Sequence, residues 1–150
     1  MKTQVAIIGG GPSGLLLAQL LHTRGIDSVV LERKTKDYVL SRIRAGVLEQ
    51  GLVSLMEQAG CAERLHAEGI PHDGTQISYG DEMFRVNFTE FTDKPVMVYG
   101  QTEVTRDLYA AREEAGGKIE FNVDNVVIHG ADTDKPHIEY TIDDEARKLV

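Results

Sequence analysis

The chain has 150 residues, 41% of them hydrophobic and 27% charged, the balance of an ordinary globular domain with room for one sizeable core. A formal charge of −8 argues against general nucleic-acid binding and against attraction to anionic membranes. A single cysteine, Cys61, excludes an internal disulfide and fits a reducing cytoplasm. The apolar stretch between Lys2 and Leu21 imitates a signal peptide or membrane span. Three glycines and Pro12 break it, and no small-residue cleavage site follows, so neither is expected.

Val5–Ile8 is a short apolar run containing β-branched residues, the pattern of a buried strand. Gly9, Gly11 and Gly14 follow at GxGxxG spacing, and Leu15–Leu21 predicts a helix buried on most faces, with Pro12 tolerated in its first turn. In such a strand–turn–helix unit one glycine makes the tight turn. A second lets the backbone approach a pyrophosphate, and the third lets helix and strand pack closely. The helix start offers free N–H groups and roughly half a positive charge to the phosphates, and Ser13 adds a hydroxyl. Arg24-Gly25 is a stop signal, and Ser28–Glu32 predicts a second strand. It ends in a carboxylate about twenty residues past the glycines, where an adenosine ribose is held.

Arg33–Arg44 is a basic cluster in an acidic chain, and Arg33, Arg42 and Arg44 are multi-donor cations suited to phosphate. Gly46–Met56 predicts a helix with Val47, Leu48, Leu52 and Leu55 or Met56 on one side. Gly60 is its stop, and Ala62–Ala67 predicts a short helical turn. Cys61 is expected to be a small buried residue rather than a nucleophile. Thr75–Tyr79 and Met83–Phe88 alternate by two around Gly80-Asp-Glu82, a hairpin signal with Phe84, Val86 and Phe88 on one face. Pro95–Tyr99 is extended. Gly100–Ala115 predicts a helix capped by Thr102, with Val104, Leu108, Ala111 and Ala115 on one face and Gly116-Gly117 as its stop. Strands are expected at Lys118–Phe121, Val123–His129, His137–Ile142 and Lys148–Val150, with turns at Asp132–Pro136 and Asp143–Glu145. The five histidines show no metal-ligand spacing. The five tyrosines lie in no catalytic motif and are expected to pack.

The expected fold is α/β, a Rossmann-like dinucleotide-binding βαβ core over residues 1–70. A β-rich excursion over 71–99 is expected to start a second sheet, and 100–150 to return to the core. Val150 falls in an expected strand without a stop signal, which predicts the front part of a longer protein.

Gly9–Gly14, Leu31-Glu-Arg33, Arg42–Gln50 and Tyr99–Leu108 together resemble the N-terminal part of the 4-hydroxybenzoate 3-monooxygenase family of flavin-dependent aromatic hydroxylases. The resemblance spans essentially the whole chain and is weakest over Gly69–Lys94 and after Gly116. It implies FAD and NADPH as cofactors. By it, Gly9, Gly11, Ser13 and Gly14 hold the FAD pyrophosphate and Glu32 takes the ribose. Arg42, Ile43, Arg44, Ala45, Gly46 and Val47 run along the FAD, with Arg44 at the pyrophosphate and also near NADPH. Gln101 contacts the ribityl or phosphate side. Arg33, Lys34 and Tyr38 match the stretch that reads the NADPH 2′-phosphate. The implied reaction converts 4-hydroxybenzoate and O2 to 3,4-dihydroxybenzoate in a cytoplasmic enzyme, for which a homodimer is allowed. The family's phenol-binding and catalytic residues lie beyond position 150, so no catalytic residue is expected here and the 150 residues alone are expected to be inactive. The alternatives are a sibling hydroxylase acting on another phenol and a non-catalytic dinucleotide-binding module.

Overall fold

A computed structural model describes residues 1–150. Its centre is a three-stranded parallel sheet in the order β1-β2-β8, formed by β1 (Val5–Ile8), β2 (Ser28–Leu31) and β8 (Lys118–Glu120). Val5 pairs with Ser28 and Ile8 with Leu31, and Val29 and Leu31 pair with Lys118 and Glu120. Every residue of β2 is buried, as a central strand covered on both faces requires.

The two faces have different covers because side chains alternate along the strand. Val30 joins Ile7 on one face, against Ala18 of helix α1 (Pro12–His22). Beyond it lies the largest core cluster. Leu15 and Leu16 of α1 pack there with Val53 and Met56 of α3 (Gln50–Gln58), Leu65 of α4 (Glu63–Glu68), and Val104, Leu108 and Tyr109 of α6 (Gln101–Glu114). On the other face Val29 and Leu31 meet Val123, Ile138, Tyr140 and Leu149. These belong to an antiparallel sheet of β9 (Val123–His129), β10 (His137–Ile142) and β11 (Glu145–Leu149).

The remaining strands lie outside this stack. β3 (Val47–Leu48), β7 (Val96–Val98) and β4 (Ile70–His72) form a small antiparallel sheet. β5 (Gly74–Tyr79) and β6 (Glu82–Asn87) form a hairpin that leads into the short helix α5 (Phe88–Thr92). Another short helix, α2 (Lys36–Ser41), sits inside the basic stretch, where Thr35 caps it by accepting from the Tyr38 N–H at 3.1 Å.

The structure corrects several expectations. Val47 and Leu48 do not begin a helix. They pair with Val98 and Met97, and the helix starts at Gln50. Helix α1 is buried on most faces as expected, with Leu17 alone exposed among Leu15–Leu21. The cap of α6 is Gly100 rather than Thr102, whose hydroxyl points to the Arg42 carbonyl at 3.4 Å. In the hairpin Phe84 is exposed, and Phe88 begins α5 instead of sharing its face. Cys61 is buried as expected. Burial, aided by the Asp107 carboxylate, pushes its thiol up to about 11, so it stays protonated at neutral pH. No helix is long and apolar enough to cross a membrane.

Candidate nucleotide-binding site

The site forms where β1 ends and α1 begins. Gly9 has φ +115, a conformation open to glycine and strained for other residues, and its N–H donates to the Leu31 carbonyl at 2.8 Å. Gly14 stands so close to the strand end that a Cβ would lie 2.0 Å from the Gly9 carbonyl oxygen. A Cβ on Gly11 would enter open space at the wall of a cleft. Gly11 also caps α1 without any side-chain hydrogen bond, and the first turn holds no acidic residue. The helix N-terminus therefore presents unpartnered N–H groups to whatever occupies the cleft.

Gly10, which the motif spacing does not single out, is equally constrained. Its Cβ position lies 2.9 Å from Glu32 Cβ, and its N–H donates to Glu32 Oε2 at 2.7 Å. The other carboxylate oxygen accepts from the Lys34 N–H at 2.8 Å. Glu32 thus ties the glycine turn to the end of β2 and retains acceptor capacity on both oxygens. Tyr109 supports the same turn from α6, donating its buried hydroxyl to the Gly10 carbonyl at 2.9 Å. Burial, reinforced by the nearby Glu32 carboxylate, pushes that hydroxyl up to about 12. Nothing in the helical periodicity of α6 marks this contact.

The cleft has a volume of about 260 Å³. Its lining includes Gly11, Glu32, Arg33 and Lys34 together with Tyr38, Arg42, Arg44 and Gln101. Pro12, Val39, Thr102 and Thr105 complete the lining, four residues not among the expected cofactor contacts. Lys36, Arg64, Arg106, Lys118 and Arg147 are all ion-paired elsewhere. Arg33, Lys34, Arg42 and Arg44 form no ion pair. Four cations without an ion pair, against the one carboxylate of Glu32, make this cleft suited to an anion in a chain of charge −8. Tyr38 orders two of them, with Lys34 Nζ and Arg42 Cζ 5.5 Å and 5.4 Å from its ring centroid.

A second cleft of about 260 Å³ adjoins the first through Pro12 and Gln101. It is mainly apolar, with Leu16, Leu48, Leu52 and Val104 in its wall. Ser13, Ala45 and Val47 line this cleft, not the polar one. Ile43 lines neither and is almost fully exposed. Gly46 acts by close approach. A Cβ there would lie 2.5 Å from both Gly100 Cα and the Tyr99 carbonyl oxygen, and its carbonyl accepts from the Tyr99 N–H at 2.8 Å. The end of the arginine segment is thereby pinned to the start of α6.

That start is held from below. The Tyr99 hydroxyl donates to Asp107 at 2.7 Å, and Arg64 of α4 reaches Asp107 at 2.5 Å, with Glu103 and Glu68 each at 2.9 Å. Burial and the Asp107 carboxylate raise the Tyr99 pKa, so this hydroxyl remains a donor. The guanidinium groups of Arg64 and Arg106 hold the Glu103 carboxyl below the usual range.

A glycine turn, a carboxylate at the end of the second parallel strand and a cationic cleft at a helix N-terminus define a dinucleotide-binding α/β domain. Comparison with known proteins narrows the class. Residues 2–150 match the model of the FAD binding domain, and the chain belongs to that family. Its relatives include p-hydroxybenzoate hydroxylase from Acinetobacter baylyi, 53% identical over 130 residues, covering 86% of this chain and 32% of that protein. The FAD-dependent monooxygenase subE of Metarhizium robertsii is 31% identical over 113 residues, covering 72% of this chain and 35% of that protein. The chain thus spans about a third of the length of these curated relatives. Among solved structures, p-nitrophenol 4-monooxygenase PnpA from Pseudomonas putida DLL-E4 superposes with a TM-score of 0.83 at 21% identity, over 99% of this chain and 39% of that one. The flavin-dependent monooxygenase PieE superposes with a TM-score of 0.80 at 19% identity, over 99% and 29%. These two matches carry the fold.

Proposed function

We propose that this chain is the FAD-binding part of an aromatic hydroxylase that converts 4-hydroxybenzoate to 3,4-dihydroxybenzoate with NADPH and O2. The observation that carries the nucleotide part of this reading is the convergence of the open glycine turn, Glu32 and four unpaired cations on one cleft. The substrate rests on the name of the relative that is 53% identical. Residues 1–70 with 100–150 would form the nucleotide-binding body, and 71–99 would lead toward the substrate side.

The residues present fit FAD. The N–H groups at the start of α1, with Ser13 and Arg44, would hold the pyrophosphate, and Glu32 would accept from the adenosine ribose hydroxyls. Gln101 borders both clefts, the place for a ribityl chain running from polar to apolar surroundings. Ala45 and Val47 would then shield the flavin end from water. FAD, when bound, accepts a hydride from the reduced nicotinamide and delivers the electrons to O2.

Arg33 and Lys34, at the cleft rim beside Tyr38, would read the 2′-phosphate of NADPH. Replacing both by serine is expected to raise the KM for NADPH about tenfold or more, through the loss of two charge-assisted contacts, while NADH use barely changes. Steady-state oxidation with each nucleotide measures this, and an equal loss for both would remove the two cations from that role.

The reading is tested with the natural polypeptide that carries this chain. NADPH oxidation is followed with FAD and O2, with and without 4-hydroxybenzoate, together with the product. Strong stimulation coupled to 3,4-dihydroxybenzoate is the expected result. Bound FAD without stimulation, or stimulation by a different phenol alone, would overturn the substrate.

A further inference from the structure

From the β9–β10 hairpin we infer a metal site, made of His129, His137 and Glu139, for a divalent first-row cation such as Zn2+. The eight-residue separation of the histidines is not a local ligand motif, so sequence spacing does not reveal it. The strand register creates it. His129 and His137 are directly opposed across the antiparallel pair, and their rings stack at a centroid distance of 4.8 Å and an interplanar angle of 16°. Glu139 lies two residues beyond His137 and therefore on the same face. Ile138 and Tyr140 point the other way into the core, which fixes His137 and Glu139 on the outer surface.

The three groups converge. Glu139 reaches His129 Nε2 at 3.3 Å and His137 Nε2 at 3.8 Å, and one ligand atom from each residue falls within 4.8 Å of the others. Two further observations suit coordination better than an ordinary surface ion pair. His129 Nε2 is buried yet has no well-aligned hydrogen bond, despite the carboxylate nearby. His137 turns Nδ1 toward the Lys135 carbonyl at 3.4 Å. A bond there places the proton on Nδ1 and leaves Nε2 free as a ligand, the orientation commonly seen around metal-bound imidazoles. Two imidazoles and a carboxylate are a donor set for Zn2+, with the fourth position left to water. The opposing element is Lys148 on β11, whose Nζ lies 3.7 Å from Glu139 and competes for the carboxylate. The site is separate from the nucleotide cleft, and bound metal would clamp β9 to β10 where they enter the 130–136 turn.

The test is a Zn2+ titration of the apoprotein against a chromogenic chelator, with thermal unfolding as a second readout. One equivalent is expected to bind, and Zn2+ is expected to raise the melting temperature. His129→Ala and His137→Ala should each weaken binding by more than about tenfold, Glu139→Gln should weaken it with little change to the fold, and His66→Ala should leave it unchanged. Lys148→Ala should tighten it by freeing the carboxylate. Absence of binding, or binding that survives both histidine substitutions, would overturn the site. Should a histidine variant unfold, Glu139→Gln and Lys148→Ala, with their opposite expected effects, decide the matter.

Discussion

Glu32→Ala is expected to weaken FAD binding by about ten- to a hundredfold. Hydrogen bonds to a charged group are worth about 1.5–3 kcal/mol, and about 1.4 kcal/mol is a factor of ten in affinity. Two effects act together. In the proposed role the ribose would lose its carboxylate acceptor, and the Gly10 and Lys34 N–H groups lose theirs. The second effect matters because Gly10 belongs to the turn that leads into α1. Without Glu32 Oε2 that turn keeps the Gly9 N–H on the Leu31 carbonyl and the Tyr109 hydroxyl on the Gly10 carbonyl as anchors. Glu32→Gln retains one acceptor oxygen and should fall between alanine and the parent. Flavin-fluorescence titration of the apoprotein measures all three, with circular dichroism to show that each variant is folded. An alanine variant within twofold of the parent would remove Glu32 from the ribose role.

The parts of the fold legible in the sequence are those whose cause is local. Val5–Ile8, the glycine turn, α1 and Ser28–Leu31 follow from short apolar runs and from spacing that only glycine satisfies, and the structure has them where expected. The hairpin at Gly80 and the helix over Gln101–Glu114 are local in the same sense. The spacing of Val47 and Leu48 to Leu52 and Leu55 imitates a helix. What makes them a strand is Met97-Val98, some fifty residues away in sequence. On α6 the apolar positions Val104 and Leu108 were visible. Thr105, Tyr109 and Arg112 are buried as well, because the helix is covered on more than one side, and periodicity cannot report that. Arg112 reaches Ser28 in β2, a contact across 84 residues that no local pattern encodes. The candidate site divides the same way. Gly11, Glu32 and the arginines were legible as residue types at set spacings. The supports behind them, Gly10, Tyr109 and the Tyr99–Asp107–Arg64 network, arise only from packing.

Gly14→Ala should destabilise the fold by about 1–3 kcal/mol or more, the cost of overpacking a close contact. The new Cβ would lie 2.0 Å from the Gly9 carbonyl oxygen and 3.2 Å from Ile7 Cγ2. The first of these neighbours is backbone, so no rotamer change relieves the clash and α1 must move away from β1. That movement strains two packed regions at once, because Ala18 packs with Ile7 and Val30 while Leu15 and Leu16 pack with residues of α3 and α6. It also displaces the helix start from the cleft, so FAD affinity should fall together with stability. Gly51, in α3, is the control. A Cβ there meets nothing within 4 Å and its φ is not positive. Alanine at that position should stabilise the chain by about 0.4–1 kcal/mol, by restricting the unfolded state. In urea the two substitutions should therefore shift the midpoint in opposite directions at unchanged slope. If Gly14→Ala proved as stable as the parent and kept its FAD affinity, the close contact between α1 and β1 would not be what holds the glycine turn in place.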